Sequence, residues 1–220
     1  PYYYNGVKLF ELDGQDASVE ITSSIENIMQ KNDGKITRKE AIANKIPSVS
    51  FSRYVYENEL IRIAPGVYMK KCSIIDELFC LQERYPKIIY SGITALYLHN
   101  LTDRIPDIIE FTMPKGYRVR KKSIVEPIKA HIENNESICF FGNTTIETNF
   151  GNKVTAFSKE KLIVEIIRKR SDYDSETFIK AIKSFLKRKD KDMNFLFEYA
   201  RLRKIEKKVF EILEIANYEN

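Results

Sequence analysis

The sequence predicts an α+β protein built in two parts: a small helical module closed by a hairpin, then a larger mixed module that ends in helices. Three observations carry this. Through residues 18–58 apolar side chains recur at i, i+3 and i+4, with capping and turn residues between the runs. Residues 87–157 hold several short β-rich runs bounded by Pro, Gly and Asn. From Ser158 onward the helical period returns and continues almost to the end. A chain of 220 residues has room for one large domain or two modest ones.

In the first module, residues 18–30 place Ile21, Ile25, Ile28 and Met29 on one helix face. Gly34 suits the left-handed position just past that helix. Lys35-Ile36-Thr37 reads as a brief extended piece, and Glu40, three residues after Thr37, gives the capping-box spacing for a second helix over 38–44. That helix is expected to bury Ala41 and Ile42. Lys45-Ile46-Pro47 is a turn, and Pro47 suits the start of a third helix, 48–58. Phe51, Tyr54 and Val55 form its inward face, which leaves Ser48, Ser50, Ser52, Arg53 and Tyr56 facing outward. Residues 60–63 and 67–69 pair as a two-stranded hairpin around Ala64-Pro65-Gly66.

Helix, turn, helix and hairpin together read as a winged helix-turn-helix over residues 18–71, whose last helix can enter a DNA major groove. Small hydroxyls and Arg53 can reach base edges and phosphates. Arg62, Lys70 and Lys71 are expected near the phosphate backbone, where the gain is mostly counterion release, and Thr37 and Arg38 are also expected among the DNA-binding residues. Charge on the third helix is thin: Arg53 is its one basic residue, and Glu57 and Glu59 follow it. The same periodicity also suits a module that binds protein.

The second module spans 72–220, with a sheet part over about 87–157 and a helical part over about 158–217. A helix over 74–83 leads in. An extended segment, 87–90, precedes a helix from Gly92 to Leu98 that Ser91 caps and that buries Ile93, Leu96 and Tyr97. Strands are expected at 108–113, 127–132, 138–141, 144–147 and 153–157, in a mostly antiparallel sheet. Ser158 caps the next helix, which ends in Arg168-Lys169-Arg170. Helices over 175–187, 194–200 and 205–215 complete the tail; in the last, Val209, Phe210, Leu213 and Ile215 form the apolar side.

Charge and cysteine usage exclude several classes. Net charge is +5, which is compatible with nucleic-acid binding without establishing it. Residues 1–71 carry 10 basic and 9 acidic side chains, 72–160 carry 11 and 11, and 161–220 carry 15 and 11, so the excess lies at the C-terminal end. There Lys180, Lys183 and Lys187 share a helix face, and Arg201, Arg203, Lys204, Lys207 and Lys208 form a second cluster. These read either as a solvated face or as a docking surface for an acidic partner or nucleic acid. Arg118, Arg120, Lys121 and Lys122 read as a solvated loop. Cys72, Cys80 and Cys139 are widely spaced and form no CxxC pair, which argues against a disulfide framework and a zinc site and fits a reducing cytoplasm. No run of about eighteen apolar residues and no signal-peptide pattern occurs.

No catalytic constellation stands out. Asp172-Tyr173-Asp174 has the spacing a nucleotidyltransferase uses to hold metal ions. It follows Lys169-Arg170-Ser171, not a Gly-Ser turn, and reads as an interhelix loop with a capping aspartate. His99 and His131, the only histidines, have no cysteine at ligand spacing. No Gly-rich phosphate loop or nucleophile elbow is present. The expectation is therefore a non-enzyme with no cofactor and no metal.

The order of parts resembles a known family. Arg62-Ile63-Ala64-Pro65-Gly66-Val67-Tyr68, then Tyr90-Ser91-Gly92-Ile93-Thr94-Ala95-Leu96-Tyr97-Leu98-His99-Asn100-Leu101-Thr102-Asp103, then Ile105-Pro106, resemble the AbiEi antitoxins of abortive-infection, type IV toxin–antitoxin systems. The first motif resembles that family's R-x-x-x-G-V-Y wing and the second its S-x-x-x-A-L-x-L-H-x-L-T-D helix and turn. Ile46-Pro47-Ser48 departs from relatives that carry a glycine near the turn. The resemblance implies a cytoplasmic phage-defence antitoxin that represses its own operon. Its N-terminal module would bind inverted repeats in promoter DNA. Its C-terminal module would neutralise a cognate nucleotidyltransferase-like toxin, without a stable toxin complex being implied. A monomer in solution that binds paired half-sites cooperatively is compatible with this. Two other readings stay open: a transcription factor with an unrelated effector domain, and a winged helix that binds protein.

Overall fold

The computed structural model describes residues 3–4, 7–8, 16–32, 34–70, 76–120 and 127–218. The chain divides into two compact units, Pro1–Ile75 and Asp76–Asn220. The division falls a few residues after the 71/72 boundary expected from sequence.

In the first unit, β1 (Tyr3–Tyr4) pairs antiparallel with β2 (Val7–Lys8). Helix α1 (Asp16–Lys31) buries Ile25 and Met29. Gly34 then turns the chain at φ +80° into β3 (Lys35–Thr37). At α2 (Arg38–Ala43) the capping box is complete: the Thr37 hydroxyl accepts from the Glu40 amide, and Glu40 Oε2 accepts from the Thr37 amide at 2.8 Å. One expectation fails here. Ile42 was expected inside, but it is 66% exposed; Ala41 alone anchors this short helix, with Ile46 buried in the turn behind it. The hairpin pairs as expected, β4 (Ile61–Ala64) with β5 (Val67–Met69), and β3 adds a third strand in the order β3-β5-β4, with Ile36 buried in the core.

Helix α3 (Ser48–Glu57) starts at Pro47 and buries Phe51 and Tyr54. They join Ile25, Met29, Ile36, Ala41, Ile46 and Leu60 in one cluster. Tyr68 meets Phe51 edge-on, ring centroids 5.4 Å apart. Gly66 closes the hairpin at φ +76°, and its carbonyl accepts from the Arg38 amide at 2.7 Å, which ties the start of α2 to the hairpin tip.

The second unit holds a five-stranded sheet in the order β8-β7-β6-β10-β9. Its strands are β6 (Ile89–Tyr90), β7 (Ile109–Pro114), β8 (Ile128–Glu133), β9 (Asn143–Glu147) and β10 (Lys153–Phe157). The expected mostly antiparallel sheet is corrected to a mixed one: β7 runs parallel to β8 and β6 parallel to β10, while β6–β7 and β9–β10 are antiparallel. A second correction concerns 138–141. This apolar run is not a strand but the end of α6 (Glu136–Phe140). Asn135 caps the helix by accepting from the Ile138 amide, and the buried Lys161 ammonium binds the carbonyls at its other end.

Asp76 caps α4 (Glu77–Arg84), so the lead-in helix starts later than expected; residues 71–75 lie outside the described residues. Helix α5 (Gly92–Leu98) has the expected bounds, but Ile93 and Tyr97 are only half-buried and the Ser91 hydroxyl does not cap it. Ser91 Oγ instead accepts from Thr112 on β7. The tail is α7 (Lys159–Arg168), α8 (Ser175–Lys187), α9 (Met193–Leu202) and α10 (Glu206–Tyr218). Helix α7 packs against α5, α8, α9, α10 and β10, and every residue from Glu160 to Ile167 is buried. On α10, Val209 and Leu213 are buried as expected, whereas Phe210 and Ile215 face solvent. Among the described residues no helix is long and apolar enough to cross a membrane.

Candidate nucleic-acid interface

The exposed residues among those expected at the interface lie on α2, α3 and the hairpin of the N-terminal unit. On α3, Ser48, Ser52, Arg53 and Tyr56 are exposed, Tyr56 to 86%. Arg38 at the start of α2 reaches across to α3, its Nη2 3.5 Å from Ser52 Oγ. Arg62 on β4 is exposed and its Nε lies 3.4 Å from the Ala64 carbonyl. Lys70 is exposed at the end of the hairpin, and Lys71 falls outside the described residues. The Thr37 hydroxyl, expected at the DNA, donates to Glu40 Oε2 at 2.8 Å and so is committed to the cap.

Helical geometry separates the serines. At about 100° per residue, Ser52, Arg53 and Tyr56 centre on the face opposite Phe51 and Tyr54. Ser50 lies on the flank and is half-buried. The residue at the centre of the outward face is Val49, 73% exposed. Sequence reasoning passed over it because an aliphatic residue in a helical period looks like core. The signal was there: Val49, Ser52, Arg53 and Tyr56 stand at i, i+3, i+4 and i+7. Tyr54, on the inward face, has its hydroxyl buried with no hydrogen-bond partner among the described residues. Burial, with Glu26 second, pushes that phenol above its ordinary pKa.

The basic residues of the C-terminal unit do not form one surface. Lys180 pairs with Asp103, and Arg201 with Glu206 at 2.8 Å. Arg203 is corrected from surface to interior: its guanidinium bonds Glu133 Oε2 at 2.6 Å and Glu165 Oε1 on α7. Lys183 lies half-buried beside an apolar groove of about 220 Å³ between α8 and α10, lined also by Phe178, Ile182 and Ile215. Lys187, Lys204, Lys207 and Lys208 are exposed.

Inside this unit Glu165 and Glu110 have charged partners, and Lys161 is held by neutral oxygens. Burial raises the Glu165 carboxyl, but Arg203 and Arg168 outweigh it and hold the group below its usual range. Glu110 on β7, where burial again opposes, is held down by bonds from His131 and Lys129 on β8. Lys161 donates from Nζ to the carbonyls of Ile138, Cys139 and Phe141 and to Asn143 Oδ1, all within 3.0 Å, while burial lowers its pKa to about 8. His99 bonds the Phe157 carbonyl through Nε2, and burial lowers its pKa. Asp174 caps α8, as the interhelix reading expected. No group of three or more metal-ligating side chains occurs among the described residues.

No family model matches the chain. No curated protein sequence is similar to it. Among solved structures, it is similar to the crystal structure of the RV2827C protein from Mycobacterium tuberculosis, with a TM-score of 0.52 over 86% of this chain and 77% of that one, at 11% identity. At that identity the likeness speaks for the mixed α/β fold alone.

Proposed function

We propose that this protein is an autoregulatory antitoxin of the AbiEi kind. In this reading the N-terminal unit is a winged helix-turn-helix that binds inverted repeats upstream of its own gene. The C-terminal unit neutralises a cognate nucleotidyltransferase-like toxin. The observation that carries the DNA half is the exposed outward face of α3, reached by Arg38 from α2 and placed opposite the core residues Phe51 and Tyr54, with Arg62 and Lys70 also exposed on the hairpin. Ser48, Ser52 and Arg53 face base edges, and the flanking cations hold the backbone. The antitoxin half rests on the Arg62–Tyr68 and Tyr90–Asp103 motifs described above.

The test is a mobility-shift titration against the upstream region of the gene. Arg53→Ala is expected to lower affinity by about 1–3 kcal/mol and relax sequence preference, and Arg62→Ala to weaken all duplexes alike and reduce the salt slope by about 1. Equal binding to upstream repeats and random duplex ends the repressor reading. Rescue of growth against the neighbouring gene's product by residues 72–220 tests the other half. One observation favours a second reading, protein docking: Ile42, Val49 and Tyr56 are apolar or aromatic and all strongly exposed. Salt-insensitive capture of a protein, with no duplex bound, would decide for it.

A further inference from the structure

Val49 buries little of its side chain on folding. It is 73% exposed, centred on the face of α3 that points away from the core. A β-branched residue at such a position is a poorer helix former than Ala, Glu or Lys, and it gains no burial in return. It is also the second residue of α3, in the N-terminal part of the helix, the part that approaches base edges when a helix enters the major groove. Its neighbours on the same stripe are Ser52, Arg53 and Tyr56, a hydroxyl, a guanidinium and a phenol, with no carboxylate from 49 to 56. An aliphatic group set among hydrogen-bonding groups is the complement of a pyrimidine C5-methyl, the one apolar group in the major groove.

We propose that Val49 is a specificity residue that reads a pyrimidine 5-methyl group in each half-site. This rests on the reading of α3 as a DNA-recognition helix. Ser52 and Arg53 supply hydrogen bonds beside it, and the stiff isopropyl group excludes water from the methyl. The contact is undirected by hydrogen bonding, so it discriminates by burial alone, and a loss of about three- to ten-fold is expected where the methyl is missing.

The experiment uses the full chain. A randomised duplex library is enriched by binding, and the preferred duplex is remade with each thymine in turn replaced by deoxyuridine. One replacement per half-site is expected to weaken binding about three- to ten-fold. Val49→Ala is expected to weaken the thymine duplex by a similar factor and to be indifferent to deoxyuridine at that position, while Val49→Thr, which keeps one methyl, falls between. Val49 is exposed, so unchanged circular dichroism serves as the folding control for both variants. Placing cytosine or 5-methylcytosine at the same position identifies the source. If 5-methylcytosine is favoured over cytosine, the methyl is read whatever base carries it; if neither binds, the methyl is read on thymine. Deoxyuridine replacements that all stay within two-fold, or a Val49→Ala protein as sensitive as the wild type, overturn the assignment while leaving DNA binding intact. Failure to enrich any duplex overturns the recognition-helix reading itself, and this inference with it.

Discussion

Single side chains in this protein answer to partners that are distant in sequence. Tyr54 carries a buried hydroxyl with nothing to bond. Tyr54→Phe keeps the ring in the core and removes the desolvated oxygen, so it should stabilise the N-terminal unit by roughly 1 kcal/mol in urea unfolding. Lys161 has the opposite standing. Replacing it with Met leaves three carbonyls at the end of α6 without their donor, and a loss of roughly 2–4 kcal/mol is expected in the same measurement. Gly92 starts α5 at φ +58°, and a Cβ there would lie 1.6 Å from Glu110 Oε2. Gly92→Ala should therefore lower the melting temperature markedly, because Lys129 and His131 already fix that carboxylate. Neither the Lys161 nor the Gly92 partnership is visible locally. Nothing near Lys161 in sequence announces the carbonyls some twenty residues earlier that take its protons.

At the scale of elements, what was legible was what is local. The capping box at Thr37 and Glu40, and the bounds of α5, α8 and β10, follow from short-range chemistry and were read correctly. The parallel pairings of β7 with β8 and β6 with β10 join distant segments, and periodicity carries no information on strand direction. The outward stripe of α3 was half legible: its serines and arginine were read, its valine was not. Arg203 was misplaced because the acids that draw it inward, Glu133 on β8 and Glu165 on α7, belong to other elements. That seam has a pH consequence. Glu133, Glu165 and Glu110 all have folded pKa values below the ordinary 4.5. Between those lowered values and 4.5 the unfolded chain binds more protons than the folded one. Their stabilisation is thus complete above 4.5 and is lost as pH falls through the folded values. Unfolding midpoints of the second unit should drop steeply over that acid range, and Arg203→Met, which takes one cation from half-buried Glu133 and leaves buried Glu165 with Arg168, should cost about 1.5–3 kcal/mol at neutral pH.

For the molecule as a whole, two units with separate cores predict separable behaviour. Residues 76–220 expressed alone should fold, retain helical circular dichroism and unfold cooperatively, and a fragment that is unstructured would show that the second core depends on the first. On the proposed DNA-binding reading, affinity should fall with salt, and the thin charge of α3 predicts that one copy binds weakly while paired half-sites bind well. Finally, the enclosure of α7 on all sides sets a clock. Its backbone amides can meet solvent only when the surrounding helices and sheet come apart together. In deuterium they should therefore exchange last, at the rate of global opening of the second unit, while the amides of the exposed α3 flank exchange on their own shorter schedule.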